Sequence, residues 1–309
     1  MIRPLASFPV VHHAGGWTTW EGAVLHTSSI TARYGVSLFE GVRAYRQSGG
    51  GPSLPFLLPD HIDRLRRSLA MTMVPDPGLA RLPEIVDELV RRNEITDDAY
   101  LRIAVNAANP GGLTDAIIPQ LTVTAAAMGR KRWLASDIGM ALTVSGQERA
   151  DARVFPPAAK NISNYAGPRL AQIAALEAGF DGCVLVNRAG RLAEAPTAAV
   201  FLVLDGELVT PSLDEDVLPS ITRQWVLDRA RTLGIPVSER PVETAETAAA
   251  QEAFLCGTGI EFAPIRSFDG SECTSWETRP VTRSLTAAYF REVRSLPARP
   301  EPEGSVVPQ

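Results

Sequence analysis

The sequence predicts a mixed α/β (α+β) chain in two halves that join near residues 128–138. Its 309 residues amount to about two domains at roughly 150 residues each. Strand-like and helix-like segments run through the whole length without an internal repeat. After residue 130 the pattern starts again. We therefore expect a smaller N-terminal α/β domain over 1–130, a linker over 131–138 and a larger domain over 139–296. The remaining stretch, 297–309, is Pro-rich and polar and is expected to be disordered.

In chain order, EGAVLHTSS and GVRAYRQ carry β-branched and aromatic residues with partial alternation and read as strands. A Gly-rich turn at 48–52 follows. Asp60 stands as the N-cap of a helix over HIDRLRRSLAMTM, with Ile62, Leu65, Leu69 and Met73 on one stripe and Pro75 and Pro77 ending it. LARLPEIVDELVRRN gives a second helix. AYLRIAVNAA and PQLTVTAAAM are strands around an Asn109-Pro110-Gly111-Gly112 turn.

In the second half, IGMALTVS is a strand and Pro168 opens the helix RLAQIAALEAGF, stopped by Gly179. GCVLVN, RLAEAP, AVFLVL and ELVT form a meander, with an Asp205-Gly206 turn between the last two. Pro219 and Ser220 open the helix ITRQWVLDRARTLG. IPVSERPV, a short helix and the strand EAFLCG complete the pattern.

Charge and cysteine usage exclude several functions. A net charge of −5 argues against nucleic acid or an anionic membrane as main partner. Three cysteines build no disulfide framework, and neither they nor the four histidines show metal-ligand spacing. The His12-His13 pair reads as surface. No export signal or membrane span is legible, so a cytoplasmic protein is expected. Nucleophile elbows and phosphate-loop fingerprints are absent from the sequence.

Lysine is scarce: Lys131 and Lys160 stand against 28 arginines. Lys131, inside GRKRW, reads as a solvated charge. Lys160, between FPPAA and NISNYAG, has few charges around it. There a neutral amine able to attack an aldehyde is favoured, although a surface lysine is the plainer alternative. Glu194, in RLAEAPTAAVF, is either an exposed strand-end carboxylate or the partner of a protonated ring nitrogen. The helix start at Ser220-Ile221-Thr222 and the Gly257-Thr258-Gly259 loop could each receive a phosphate. Arg64 could reach one too.

Seven motifs occur in order: YGVSLFEGVRAY (34–45), HIDRL (61–65), YLR (100–102), AKNISNYAGPRLA (159–171), RLAEAPTAAVFLV (191–203), LPSITR (218–223) and CGTGIEFAPI (256–265). Together they resemble the class IV (fold type IV) pyridoxal-phosphate aminotransferases, and within them the branched-chain amino acid aminotransferases. The resemblance implies a two-domain fold whose larger C-terminal domain binds the cofactor with a barrel-like sheet.

It also implies roles. Lys160 would carry pyridoxal 5′-phosphate as a Schiff base and move the substrate's Cα proton. Tyr165 would hydrogen-bond the cofactor's 3′ oxygen, and Glu194 would pair with its ring nitrogen. Arg64, the backbone N–H groups of Ile221 and Thr222, and Thr258 would hold the phosphate. Tyr34, Phe39, Gly41, Arg43, Tyr100 and Arg102 would line the substrate pocket, with Gly259 near the substrate carboxylate. Trp133 stands where relatives often carry tyrosine.

The implied reaction moves an amino group between an L-amino acid and a 2-oxo acid such as 2-oxoglutarate. At least a homodimer is implied, since the family builds its sites where subunits meet. Two departures stand out. Ala199 replaces an expected asparagine, and the larger Ile260 follows Thr258-Gly259. D-amino acid or (R)-amine transamination, aminodeoxychorismate lyase activity, and a non-catalytic homologue are the alternatives.

Overall fold

A computed structural model describes residues 7–135 and 137–297; the expected disorder of the C-terminal tail lies outside the described residues from 298 onward. The first half is one antiparallel sheet with two helices against it. β1 (Val10–His13) and β2 (Gly16–Thr19) form a hairpin through Ala14 and Gly15, both at positive φ. His12 is buried here, its ring edge-on to Trp17, rather than exposed as expected. The expected strand over EGAVLHTSS is a run of turns: Ala23 N–H bonds Trp20 C=O, and Ser29 N–H bonds His26 C=O. Most of the segment is exposed to solvent, so its backbone needs no sheet partner.

α1 (Ile30–Tyr34) is capped by the Ser29 hydroxyl and stopped by Gly35 at φ 72. β3 (Ser37–Tyr45) and β4 (Leu54–Pro55) lead into α2 (Leu58–Met71). This helix starts two residues before Asp60, which lies in its first turn instead of capping it. It also stops short of Met73, which lies beyond the helix at positive φ and 89% exposed. A 3-10 turn (Leu79–Arg81), α3 (Leu82–Arg92), β5 (Ala99–Ala107) and β6 (Pro119–Ala127) finish the half. The sheet runs β2-β1-β6-β5-β3-β4. Leu58, Leu65 and Leu69 of α2 and Leu82, Val86 and Leu89 of α3 pack on Leu38, Val42, Leu101 and Val105. Each such side chain contributes about 1.5–3 kcal/mol of burial.

The second half contains α4 (Arg132–Ala135), β7 (Met140–Glu148), a 3-10 turn (Ile162–Tyr165) and α5 (Ala166–Glu177). Because α5 continues directly from the turn, Pro168 is its third residue and not its first. β8 (Gly182–Val186), β9 (Ala199–Leu204) and β10 (Glu207–Pro211) follow, with Asp205 and Gly206 both at positive φ in the hairpin as expected. RLAEAP is not a strand of its own. α6 (Ile221–Thr232), β11 (Val237–Arg240), a 3-10 turn (Thr244–Ala249) and β12 (Glu252–Gly257) come next. β13 (Glu261–Phe268), β14 (Ser271–Glu272) and α7 (Pro280–Val293) complete the described chain.

The second sheet runs β11-β10-β9-β12-β13-β7-β8, with β14 beside β13. Residues 191 and 192 bridge its two ends. Leu192 pairs with Val186 of β8, while its N–H donates to Val242 C=O at 2.9 Å, just past β11. The sheet therefore curls toward a barrel, as the resemblance implies. Aromatic rings of Phe201, Phe254, Phe262, Trp225 and Tyr289 fill the space between it, α6 and α7. Among the described residues no helix is long and apolar enough to cross a membrane.

Candidate active site

Between the two sheets lies a cavity of about 630 Å³, within the roughly 300–1,000 Å³ range of small-molecule sites. Lys160 enters it from the loop before the 3-10 turn. The backbone of this lysine is held by the first half of the chain. Its N–H donates to Ser68 Oγ at 3.1 Å, and its C=O accepts from Phe39 N–H at 3.0 Å. Asn161 extends the link, its side-chain oxygen accepting from Ser37 N–H at 3.0 Å.

The Lys160 amine donates to the Tyr165 hydroxyl at 2.7 Å and lies 4.8 Å from the centre of the Phe39 ring. Burial, followed by the Arg64 charge, pulls the Lys160 amine down to about 7. Burial and the Glu194 charge push the Tyr165 hydroxyl up to about 12. A half-neutral amine thus faces a protonated phenol at neutral pH.

Glu194 is buried on another wall. One oxygen meets Arg149 Nη2 at 2.8 Å, and the other accepts Leu218 N–H at 3.2 Å. Burial raises its pKa and Arg149 partly offsets that rise. Arg64 lies opposite with both sides of its fork occupied: Nε and Nη2 donate to Glu40 at 2.7 and 2.6 Å, and Nη1 donates to Pro219 C=O at 2.9 Å. Burial alone would raise the pKa of Glu40, but Arg64 and His61 outweigh it and hold the carboxyl at about 2.

Pro219 and Ser220 lead into α6, where Ser220 Oγ accepts from Arg223 N–H at 3.2 Å. Among the described residues the first-turn N–H groups of Ile221 and Thr222 make no hydrogen bond. Thr222 is buried, and neither residue's side chain reaches the cavity wall. Thr258 and Gly259, in the tight loop from β12 to β13, line the cavity together with Ile260 and Ala199.

On the remaining side Gly41 admits Tyr100, since a Cβ at 41 would fall 2.0 Å from the Tyr100 hydroxyl oxygen. The Arg102 guanidinium lies 4.0 Å over the Phe39 ring. Trp133 lines the cavity, but its buried indole Nε1 has no partner among the described residues.

Three expectations are corrected. Arg43 does not line the cavity; it is buried beyond it, 3.1 Å from Glu261 and 4.0 Å from Asp98. Tyr34 stands 37% exposed at the end of α1, outside this chain's cavity. Lys131 is no solvated charge, for it is half-buried in the cavity wall and its pKa is lowered, chiefly by burial and then by Arg43. Sequence reasoning also missed Glu40 and Arg149, each buried against a site residue, and His61, buried against Glu40.

The donor set suits a phosphorylated aldehyde with a basic ring nitrogen. An amine near neutrality and a buried carboxylate share one cavity with Ser220, the capping residue of α6, directly before the two free N–H groups. The fold and site define a class of enzyme, the pyridoxal-phosphate-dependent aminotransferases of class IV. Residues 37–268 match the family described as Amino-transferase class IV, and the chain belongs to it.

Among its relatives is the branched-chain-amino-acid aminotransferase of Salmonella typhimurium, 33% identical over 285 residues, covering 89% of this chain and 90% of that one. The solved branched-chain aminotransferase of Thermoproteus uzoniensis with norvaline is 31% identical at a TM-score of 0.86, covering 94% and 95% of the two chains. The T.th. branched-chain amino acid aminotransferase complexed with N-(5′-phosphopyridoxyl)-L-glutamate is similar as well, at 28% identity and a TM-score of 0.87 over 94% and 95%.

Proposed function

We propose that the chain moves amino groups between an L-amino acid with a branched-chain-like or other hydrophobic side chain and a 2-oxo acid such as 2-oxoglutarate, with Lys160 as the cofactor-bearing and proton-moving amine. The observation that carries this is the Lys160 amine itself, lowered to about 7 and bonded to Tyr165 at 2.7 Å within the cavity wall.

When bound, pyridoxal phosphate supplies an aldehyde carbon for amine exchange and a ring that takes up the electron pair left by the departing Cα proton. The residues of the chain do the rest. Ile221 N–H, Thr222 N–H, Thr258 and Arg64 would hold the phosphate at the positive end of α6. Glu194 keeps a proton on the ring nitrogen, and its two fixed oxygens orient that contact. Tyr165 would donate to the 3′ oxygen. The Lys160 amine would take the Cα proton as general base and give it back as general acid.

Phe39, Trp133 and Ile260 offer apolar wall to a substrate side chain. Arg102 has no carboxylate within ion-pair distance among the described residues, which suits the second carboxylate of a dicarboxylic partner. The norvaline and phosphopyridoxyl-glutamate complexes of the relatives support both substrate types. We take residues 1–130 and 139–296 as the two domains. A homodimer is supported by the exposed Val24, Leu25, Tyr34, Leu113 and Ile118, which a second subunit could cover.

Borohydride reduction of the holoenzyme followed by peptide mapping tests the assignment, with the label expected on Lys160. A label elsewhere, or none in cofactor-saturated protein, refutes it. A panel of L and D donors against 2-oxoglutarate and pyruvate tests the substrate: preference for D donors, or pyruvate release from aminodeoxychorismate without an acceptor, would replace the L-transaminase reading.

A further inference from the structure

Two buried groups near Arg64 have no part in the chemistry above. Glu40 of β3 is fully buried, with one carboxylate oxygen on Arg64 Nε and the other shared by Arg64 Nη2 and His61 Nδ1, 2.7 Å away. His61, Arg64 and Ser68 fall at i, i+3 and i+7 of α2, so one helix face presents all three. Ser68 Oγ accepts the Lys160 N–H, and the N–H of Phe39, next to Glu40, donates to the Lys160 C=O. The third bond of Arg64 goes to Pro219 C=O, directly before the capping residue of α6. A closed frame thus links the helix start, Arg64 and the lysine.

Counting donors shows what the frame leaves free. A guanidinium has five N–H groups. Glu40 and Pro219 occupy three of them, so one remains on Nη1 and one on Nη2. A donor left on each terminal nitrogen can serve two oxygens of one tetrahedral phosphate. Without Glu40, an arginine in this cavity would also be drawn toward Glu194, whose charge acts on it.

We propose that Glu40 and His61 are positioning residues that preset Arg64 as a two-pronged phosphate clamp, facing the start of α6 and kept in register with Lys160 through Ser68. This rests on the reading of the cavity as the cofactor's site. His61 acts through Glu40, which accepts its ring N–H, and Glu40 acts through Arg64. Neither residue touches the reacting atoms.

The test compares two probes on enzyme stripped of cofactor and reconstituted: pyridoxal phosphate, and pyridoxal, which lacks the phosphate. Glu40→Gln should weaken pyridoxal phosphate at least about tenfold and His61→Asn at least about threefold, while pyridoxal affinity moves less than about twofold in either. The exposed pair variant Glu88→Gln serves as control and should move neither. A general loosening of the structure would weaken both probes together, and that result overturns the proposal, as does an unchanged preference for the phosphorylated probe. If Glu40→Gln does not fold, His61→Asn answers the same question. Failure of the unaltered protein to bind either probe would refute the cofactor reading instead.

Discussion

Lowering an amine from 10.5 to about 7 makes pH the informative perturbation. An ordinary lysine at pH 7 is neutral in roughly three molecules per ten thousand, whereas Lys160 is neutral in about half. Only the neutral amine attacks an aldehyde. Between about pH 6 and pH 8 the neutral fraction of Lys160 rises from roughly 9% to 91%, about tenfold, and then levels off. For an unperturbed lysine it rises about a hundredfold and keeps climbing. The assay is uptake of pyridoxal phosphate by stripped enzyme, followed by visible absorbance. Rates are divided by those for a blocked lysine in the same buffers, which cancels the ionisation of the cofactor. In that ratio the enzyme should gain most at low pH and lose its advantage as pH rises. A ratio independent of pH would show that burial and Arg64 do not lower the amine, and the account of Lys160 would fail.

Two further outcomes follow from the same buried charges. Between about pH 7 and 10.5 the unfolded chain binds a proton at Lys160 that the folded chain does not, so this group's penalty on stability is full below 7 and fades as pH rises. Lys160→Met should therefore stabilise the cofactor-free protein by about 2–4 kcal/mol near pH 7, less toward pH 10, as read by denaturant unfolding, while abolishing turnover. Arg149→Met leaves the Glu194 carboxylate buried without its cation, and should cost about 3–5 kcal/mol and shift the pH dependence of the absorbance of the bound cofactor. An unchanged absorbance profile in a folded Arg149→Met enzyme would remove Arg149 from the site.

How much of this was legible depended on whether a residue's role was local. Lys160 stood out because lysine is so scarce, and Tyr165 and Glu194 lay in motifs with few competing charges. The helix start at Ser220 was visible from its cap. Glu40 and Arg149 were not, because each acquires meaning only from a partner brought in by the fold, Arg64 and Glu194. Arg149 sits in GQERADAR, a run of charges that reads as solvent-exposed. Arg43 misled for a related reason. Strand alternation puts Phe39, Gly41 and Arg43 on one face, but the cavity ends at Gly41 and Arg43 meets Glu261 of β13. The residue types of segment 21–29 favour a strand, whereas its backbone runs through turns.

The bonds from Ser37 and Phe39 to the lysine loop have a practical corollary. If the polypeptide were severed in the crossover after β6, the fragment carrying Lys160 would lack the edge that aligns it, and the other fragment would have no lysine to offer. Only their reunion would restore the yellow colour of the bound vitamin. The protein so divided would serve as a reporter of the proximity of whatever two molecules its pieces were fused to.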